Sequence, residues 1–313
     1  MNAIKIDRNK NVGLTSLIKG YISLSPGQRS LMENAGWLDV REREKLTNAD
    51  GYFDVSVPLS LILGFAEDYR KIVINAKHEL ILTRAKSDIN AIVQTAPEEC
   101  KVLIHKLEWL IPYVKVSDRR KIQLLRFIER DAPISVSFRT WELYEYPLLP
   151  TTSKHVWTVK TSTQLEKPRY VILGVQTSRK NKKNKNASHF DHCKVRDVKI
   201  FLNSQYYPYG NLNLDIHHNL FAALYEMYAN FQATYYGKDP EPLLKKNEFL
   251  DYAPLIVIDC SKQNESLTLG PVDIRLEFEA QDNFPADTSA FCMILHDCIV
   301  EYNPISGGVK KLV

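Results

Sequence analysis

The stretch VDIRLEFE, residues 272–279, alternates apolar and charged residues without a break and indicates the fold class of this 313-residue chain. Successive side chains of a β-strand point to opposite faces, so the pattern predicts a strand with one buried and one solvated face. Two apolar runs flank it, LIVIDC at 255–260 and FCMILHDCIV at 291–300. Because turn-rich connections separate all three, the last sixty residues are predicted to be antiparallel β-structure.

Working outward, the residues upstream of this region carry further strand patterns at 134–146, 156–161, 169–177 and 195–202. One helix interrupts them at 218–236, where apolar residues recur close to every 3.6 positions and Gly237 then ends the run. The seven or eight strands after Asp131 approach the eight that a jelly roll needs. We therefore place a domain boundary at Asp131 and expect few core contacts to cross it.

The residues before Asp131 give a poorer strand set. Strands are predicted at 52–58, 71–84 and 101–111, together with a short one near Ile4, and a charged helix follows Ser117 as a connector. No βα alternation is present, which excludes Rossmann and TIM-barrel folds. The pattern favours an all-β chain of tandem antiparallel sandwiches with a few short helices.

Composition limits the compartment and the class of partner. Hydrophobic content of 44% and charged content of 25% are typical of a soluble globular protein. No apolar run reaches the roughly 18 residues of a membrane helix, and the N-terminus lacks the pattern of a signal peptide. Five scattered cysteines predict reduced thiols, so we expect a cytoplasmic or nuclear rather than a secreted protein. A net charge of +4 is too small to imply nucleic-acid binding by itself.

Several short sequence segments together resemble the double jelly-roll major capsid proteins of Polinton (Maverick) virus-like elements. These segments are WELYE at 141–145, WTVKTST at 157–163, PRYVIL at 168–173, LNSQYYPY at 202–209 and VIDCSKQN at 257–264. The resemblance implies a double jelly roll, a structural role without enzymatic activity, self-association as a homotrimer, contact with other capsid-type proteins and a location in the virion.

The start of the chain departs from that family. Residues 7–13 resemble an internal segment of the first jelly roll, whose early strands are expected to be absent. The predicted domains are an incomplete first jelly roll at 1–116, a helical connector at 117–131, and a second jelly roll at 132–313 with the helix insertion at 218–236. Missing strands should leave apolar faces uncovered near Ile72–Leu82 and Val102–Trp109.

Two functions remain open at this point. The chain is either a capsid building block, or its genome-integrated remnant, or a host-retained jelly-roll module that binds a partner without forming a shell. A basic loop is the candidate contact for nucleic acid or an acidic partner, because charge alone attracts phosphate. Its candidate residues are Arg179, Lys180, Lys182, Lys183 and Lys185. A solvated loop without such a role is the simpler interpretation.

Candidate chemistry is sparse. His189, Asp191 and Cys193 would share one face of a strand, and His217 or His218 could complete a metal site, but a polar loop explains the cluster more simply. Cys292 and His296 would also share a face, yet they lie in an apolar run typical of a core. We predict no catalytic residues, no metal and no cofactor.

Overall fold

The computed structural model describes residues 1–2, 4–38, 46–94, 100–160, 167–203, 205–262 and 272–312. The α-helices in this part of the chain are α1 (Val12–Ser23), α2 (Pro26–Met32), α3 (Gly64–Asp68), α4 (Asp118–Glu129), α5 (Ala222–Ala229), α6 (Phe231–Tyr236) and α7 (Lys246–Tyr252). The strands are β1 (Ile134–Tyr146), β2 (Lys154–Lys160), β3 (Pro168–Thr177), β4 (Val195–Leu202), β5 (Gln205–Tyr207), β6 (Ile256–Asp259), β7 (Ile274–Ala280), β8 (Thr288–Tyr302) and β9 (Val309–Lys311). None of the described helices is both long and apolar enough to span a bilayer.

The first eight strands form a jelly roll of two antiparallel sheets. The first sheet has the order β1-β8-β3-β6, with β9 beside β8, and the second has the order β2-β7-β4-β5. The hydrogen-bonded pairs β1·β8, β2·β7, β3·β6 and β4·β5 are those of one long antiparallel hairpin rolled into a sandwich. The strand predictions after Asp131 are confirmed by these elements.

The two sheets differ in the sequence pattern of their strands. Apolar and charged residues alternate in the second sheet, whereas the first sheet contains continuous apolar runs. In β7 the side chains of Ile274, Leu276 and Phe278 are buried while the intervening charged ones point outward. In β8 the first nine residues are all buried. A strand that is buried on both faces reads as a continuous apolar run, which indicates that the first sheet is the middle layer of the protein.

Two aromatic residues of β1 show what covers each face of that middle layer. Trp141 contacts Phe231 and Tyr235 of α6, with ring centroids 6.3 and 5.7 Å apart. Tyr146, five residues along the strand and therefore on the opposite face, contacts Trp157 of the second sheet at 5.6 Å. The molecule thus has three layers, with helices on one side of the first sheet and the second sheet on the other.

Helix α1 belongs to the same core, so the expectation of few contacts across Asp131 is wrong. Ile18, Tyr21 and Ile22 are buried in the hydrophobic cluster that contains both sheets. Helix α5 binds α1 directly, since the hydroxyl of Tyr228 donates to the carbonyl of Tyr21 at 2.9 Å. An amphipathic helix far upstream supplies the cover that a sheet face requires.

The strands predicted before Asp131 do not form within the described residues. The stretches 52–58, 71–84 and 101–111 contain no strand, and the short one near Ile4 is absent as well. Alternation favours an extended backbone, but a strand also needs a continuous ladder of backbone hydrogen bonds to a neighbour. Within the described residues these stretches make only isolated backbone bonds, such as Ser56 N–H to the carbonyl of Asn34 at 2.8 Å. The helix predicted after Ser117 is confirmed as α4, while its role as a connector between two domains stays a prediction.

The helix predicted at 218–236 is in fact two helices, which is a second correction. It begins only at Ala222, because Asp215 and Leu220 form an isolated β-bridge that occupies the preceding backbone. Asn230 then ends α5 and begins α6, with its backbone N–H bonded to the carbonyl of Glu226 at 2.9 Å. The 3.6-residue period continues across this joint, so periodicity alone does not show it.

The chain enters and leaves the jelly roll at the same place. Ile134 at the start of β1 lies opposite Tyr302 at the end of β8. The carboxylate of Asp131 accepts from the backbone N–H of Ile305 at 2.9 Å, and Asn303 Nδ2 donates to the carbonyl of Asp131 at 2.7 Å. These bonds fasten the incoming chain to the outgoing chain.

Candidate interaction surfaces

A cluster of charges attaches the N-terminal segments to the jelly roll. Lys19 of α1, with a side chain only 2% exposed, donates to Glu67 Oε2 and to the carbonyl of Ser60, both at 2.6 Å. Asp68 accepts two bonds from the guanidinium of Arg139, at 2.6 and 2.9 Å, and a third from its backbone N–H at 2.8 Å. A bidentate pair of this kind fixes both position and orientation. The cluster therefore sets how α1 and α3 sit against β1.

The environment shifts the pKa values of this cluster in different directions. Burial lowers the pKa of Lys19, against the opposing effect of Glu67. Burial alone would raise the pKa of Asp68, but its hydrogen bonds and charge interaction with Arg139 outweigh burial and hold that pKa below its usual value. Burial raises the pKa of Asp7, which accepts from the backbone N–H of Phe65 at 3.0 Å. Asp68 and Arg139 therefore form an ion pair in which both side chains are charged at neutral pH.

Gly64 is what lets α3 reach this position. A Cβ atom at residue 64 would lie 1.6 Å from the carbonyl oxygen of Arg139, which no side chain can tolerate. Glycine is required where two backbones approach this closely. The sequence gives no local signal for the charge cluster, because Lys19 and Glu67 are 48 residues apart and Asp68 and Arg139 are 71 apart.

The predicted basic loop is held more firmly than a solvated loop would be. Arg179 is committed to a bidentate ion pair with Asp191, at 2.6 and 2.9 Å. Lys180 pairs with Glu145, and the carbonyl of Lys183 accepts from the backbone N–H of Gln94 at 2.7 Å. Lys182 and Lys185 remain exposed. The five residues therefore divide into a structural arginine and lysines on the outside of the loop.

The residues considered as metal ligands are engaged with other partners. Asp191 is bonded to Arg179, Cys193 lies 3.4 Å from Thr177 Oγ1, and His189 lies 3.3 Å from the amide of Asn186. Burial raises the pKa of Cys193 to about 11, which disfavours the thiolate that a metal binds. Nowhere in the described ranges do three ligating side chains come together in a way that could hold a metal ion.

Cys292 and His296 are not a catalytic pair. Both are buried in β8, where four residues span about 13 Å. His296 lies opposite Thr140, whose hydroxyl is 2.7 Å from its Nδ1 atom. Burial raises the pKa of Cys292 well above its ordinary value, so its thiol stays protonated. This pair packs in the core, as the apolar sequence around it indicates.

One continuous exposed stretch of the described chain is residues 101–130, which we name the exposed segment. It consists of an extended stretch followed by α4, and none of its residues is buried. Large side chains along it reach the solvent, among them Leu107, Leu110 (80% exposed) and Tyr113 (96%). The exposure predicted near Val102–Trp109 is confirmed and continues into α4. Between Ile72 and Leu82 only the ends are exposed, because Val73 and Ala76 pack against a second, smaller core cluster. Apolar surface on this scale is typical of a site that another chain covers.

The outer face of the second sheet is a further surface, one that sequence reasoning missed. Its cross-strand rows, which we name the outer face, consist of Lys154, Glu279 and Asp197, then Val156, Glu277 and Lys199, then Thr158, Arg275 and Phe201. Beyond Phe201 lie Tyr206 and Tyr209, the latter 72% exposed. The alternation in β7 did predict a solvated face, but only sheet pairing shows which side chains from three strands share it.

Comparison with known proteins gives one family and several distant structures. The model of the double jelly roll-like domain family matches residues 1–300. A search of curated proteins finds no match. The structure of the Sputnik virophage contains a chain with a TM-score of 0.38 and 10% identity, aligned over 58% of this chain and 39% of that one. The PBCV-1 virus capsid gives a TM-score of 0.38, 8% identity and coverages of 62% and 54%.

The mavirus major capsid protein gives a TM-score of 0.29 and 11% identity, with coverages of 56% of this chain and 41% of that one. Against these three viral structures, the aligned region thus spans from 39% to 54% of the other chain. The family match covers the exposed segment, the charge cluster and every described strand except β9 and the last two residues of β8.

Proposed function

Because the chain belongs to the double jelly roll-like domain family, we propose that it is a structural building block of the major-capsid-protein kind, or a remnant of one. In such a protein the surfaces carry the function, and the sandwich supplies a rigid block that presents them. The sequence segments that resemble Polinton capsid proteins support an origin in a virus-like element. They also support the virion as the location of the protein. Contacts with other capsid-type proteins belong to the same proposal.

The observation that carries this proposal is the exposed segment. A stretch of 30 residues without one buried side chain is costly for a monomer, since apolar surface gains free energy by leaving water. Within the described structure the backbone of residues 103–116 makes no hydrogen bond, and unpaired backbone groups of this kind recruit other strands. We propose that copies of this chain cover it in a homotrimer.

Analytical ultracentrifugation of the full chain tests the proposal. We expect a species of about three times the 36.0 kDa of one chain, which a triple variant with Leu107, Leu110 and Tyr113 changed to Ser shifts toward the monomer. The matched control changes three exposed apolar residues elsewhere to Ser, namely Leu31, Leu148 and Ile305, and should keep the parent's mass. A parent that stays monomeric at all concentrations would instead favour a binding module without a shell.

A further inference from the structure

The exposed segment contains a short strand pattern. Lys106 Nζ and Glu108 Oε1 form an ion pair at 3.0 Å, which places both side chains on one face of the extended backbone. Leu107, which is 71% exposed, lies between them and therefore points to the opposite face. Within the described structure the backbone groups of these residues make no hydrogen bond. Residues 104–108 thus have a charged side, an apolar side and an unpaired backbone, as a strand without a neighbour would.

The second sheet ends in a strand, β2, whose outer edge is open. The N–H of Ala280 donates to the carbonyl of Ser153 at 2.8 Å, so these two residues are a hydrogen-bonded pair at the start of the β2·β7 ladder. Such pairs alternate in an antiparallel ladder, so the backbone groups of the even-numbered residues of 154–158 point away from β7. The carbonyl of Lys154 accepts from the hydroxyl of Thr152 at 3.3 Å, and the described residues supply no other partner for these groups.

The other sheet edges in the described part of the chain are shorter or already occupied. Strands β5, β6 and β9 have three or four residues, and β5 is followed by Pro208, which has no N–H. On β1 the backbone N–H of Arg139 is bonded to Asp68 at 2.8 Å, and Gly64 of α3 lies against the carbonyl of Arg139. Strand β2 is therefore the edge that can receive a strand without displacing another element.

We propose that residues 104–108 of one copy add to β2 of a second copy as an antiparallel strand, with Lys106 opposite Val156. This register sets Glu108 beside Lys154, and an opposite-charge pair on neighbouring strands is stabilising. A parallel strand centred on Val156 would set Glu108 at the far end of the pairing, away from Lys154. Charge therefore selects both the direction and the register.

The apolar sides of the two strands match in the same register. Leu107 then lies on the inner side of the sheet, beside His155 and the half-buried Trp157. Tyr146 of β1 contacts Trp157 at 5.6 Å, so aromatic side chains line the space between the two sheets at this edge. A slip of one residue would turn Leu107 toward solvent and Lys106 toward these aromatic rings, which disfavours it.

Strand β2 also carries features that restrict what can pair with it. Lysines and bulges on an edge strand oppose indiscriminate pairing. Lys154 favours an added strand that brings a carboxylate, as Glu108 does, and the bulge between Thr158 and Lys160 ends the regular ladder after five residues. The edge is therefore selective for a short strand with the charge pattern of residues 104–108.

This inference rests on the proposed self-association and deepens it by naming the two surfaces that meet. Because the donor strand and the acceptor edge are different parts of the chain, the contact is head-to-tail. Head-to-tail contacts form rings when the rotation between copies closes. Three copies joined in this way, each giving residues 104–108 to the next, would make the proposed homotrimer.

Disulfide trapping in the full chain tests the register. Hydrogen-bonded pairs on antiparallel strands have Cα atoms about 5.5 Å apart, within the roughly 4.4–6.8 Å that a disulfide spans. With the exposed Cys100 changed to Ser, a mixture of Val156→Cys and Lys106→Cys chains should give a linked pair of chains on a non-reducing gel. The matched control mixes Val156→Cys with Leu107→Cys, whose cysteines lie on opposite faces, and should give about tenfold less.

Val156→Pro tests the backbone pairing. It removes the N–H that points to the open edge and leaves the bonds to β7, a position at which edge strands tolerate proline. Association should weaken at least about tenfold in sedimentation equilibrium, because the added strand loses a backbone hydrogen bond and meets the proline ring. Val156→Thr keeps the N–H and the β-branched shape, so it should associate like the parent. If circular dichroism shows that Val156→Pro is unfolded, the disulfide comparison decides.

Hydrogen exchange gives a third measurement. In the dissociated chain the amides of residues 104–108 have no hydrogen-bond partner, so they should exchange fast. Association should protect the amides of Ile104, Lys106 and Glu108, which would bond to β2 of the other copy, in proportion to the fraction of chains that is associated.

The outcomes separate this inference from the proposed function. A parent that is monomeric at all concentrations overturns both. Equal trapping in the two cysteine mixtures overturns the inference, and so does normal association of a folded Val156→Pro chain. The proposed function then still stands if the triple exposed-segment variant dissociates the parent. Absence of protection at residues 104–108 in the associated protein would likewise overturn the inference alone.

Discussion

At the scale of residues, Arg139 is where the N-terminal segments meet the jelly roll. Its guanidinium and its backbone N–H both bind Asp68, and its Nη1 donates to the carbonyl of Tyr235 at 2.9 Å. Its guanidinium also lies 3.9 Å from the ring centre of Tyr235. One side chain thus ties α3, β1 and α6 together, so its partner is a sensitive place to change the protein.

Asp68→Asn should lower the free energy of unfolding by about 2 kcal/mol at pH 7, because Arg139 keeps its charge but loses its counter-ion. Arg139 lowers the folded-state pKa of Asp68 below the ordinary value of 3.8. The stabilisation is therefore complete above that value and is lost as the pH falls through the folded-state pKa. Urea melts from pH 7 to pH 3 should show the parent and the variant converging at the acid end.

Burial raises the pKa of Asp7, so its effect on the pH dependence of the free energy of unfolding is opposite in sign to that of Asp68. The free energies of unfolding of parent and variant must therefore be compared with each other at each pH. Asp239→Asn, at an exposed position, is the control and should follow the parent throughout. A constant difference between parent and Asp68→Asn down to pH 3 would show that the loss has no electrostatic origin.

Little of this residue-scale detail could be predicted from the sequence. The charge cluster joins positions that are 48 and 71 residues apart, and no local pattern reports a pairing over such distances. Arg179 was grouped with its neighbouring lysines because they are adjacent in sequence. Its partner Asp191 becomes visible only once β3 and the loop after it are folded.

At the scale of elements, the strands that were predicted correctly are those whose own residues carry the pattern of a strand. The strands β1, β3, β4, β7 and β8 follow from alternation or from continuous apolar sequence. The stretches 71–84 and 101–111 have similar composition, but whether they pair depends on residues elsewhere. Sequence therefore predicted the second jelly roll well and the first half of the chain poorly.

The basic loop offers a test at this scale. Changing Lys182 and Lys185 to Ser should alter the free energy of unfolding by less than about 0.5 kcal/mol, as exposed substitutions usually do. Arg179→Ser should cost about 1–3 kcal/mol, because it leaves Asp191 without its charged donors. Urea denaturation measures both. Equal losses in the two variants would show that the ion pair adds no stability.

We further propose that the exposed lysines of this loop are where nucleic acid or an acidic surface would make contact. Binding of a labelled oligonucleotide at several salt concentrations checks this separately from stability. The Lys182 and Lys185 double variant should bind more weakly and with a shallower salt dependence. Identical binding curves for parent and variant would exclude the loop as the contact.

At the scale of the whole molecule, stability should not divide at Asp131. Helix α1 is buried in the same core as both sheets, whereas the amides of residues 103–116 have no hydrogen bond within the described structure. Hydrogen exchange followed by mass spectrometry should therefore show α1 exchanging as slowly as β8, and residues 103–116 exchanging fastest. Fast exchange throughout α1 would place the division at Asp131 after all.

The closure of the jelly roll at Asp131 has a consequence for how such a unit is handled in evolution and in the laboratory. Because Ile134 and Tyr302 are neighbours, the chain enters and leaves the sandwich at one point. Units with adjacent ends can be inserted into a host loop, or circularly permuted, without stretching their core. Because α1 belongs to the same core, such a transfer must carry α1 along, and the eight strands then stay in register.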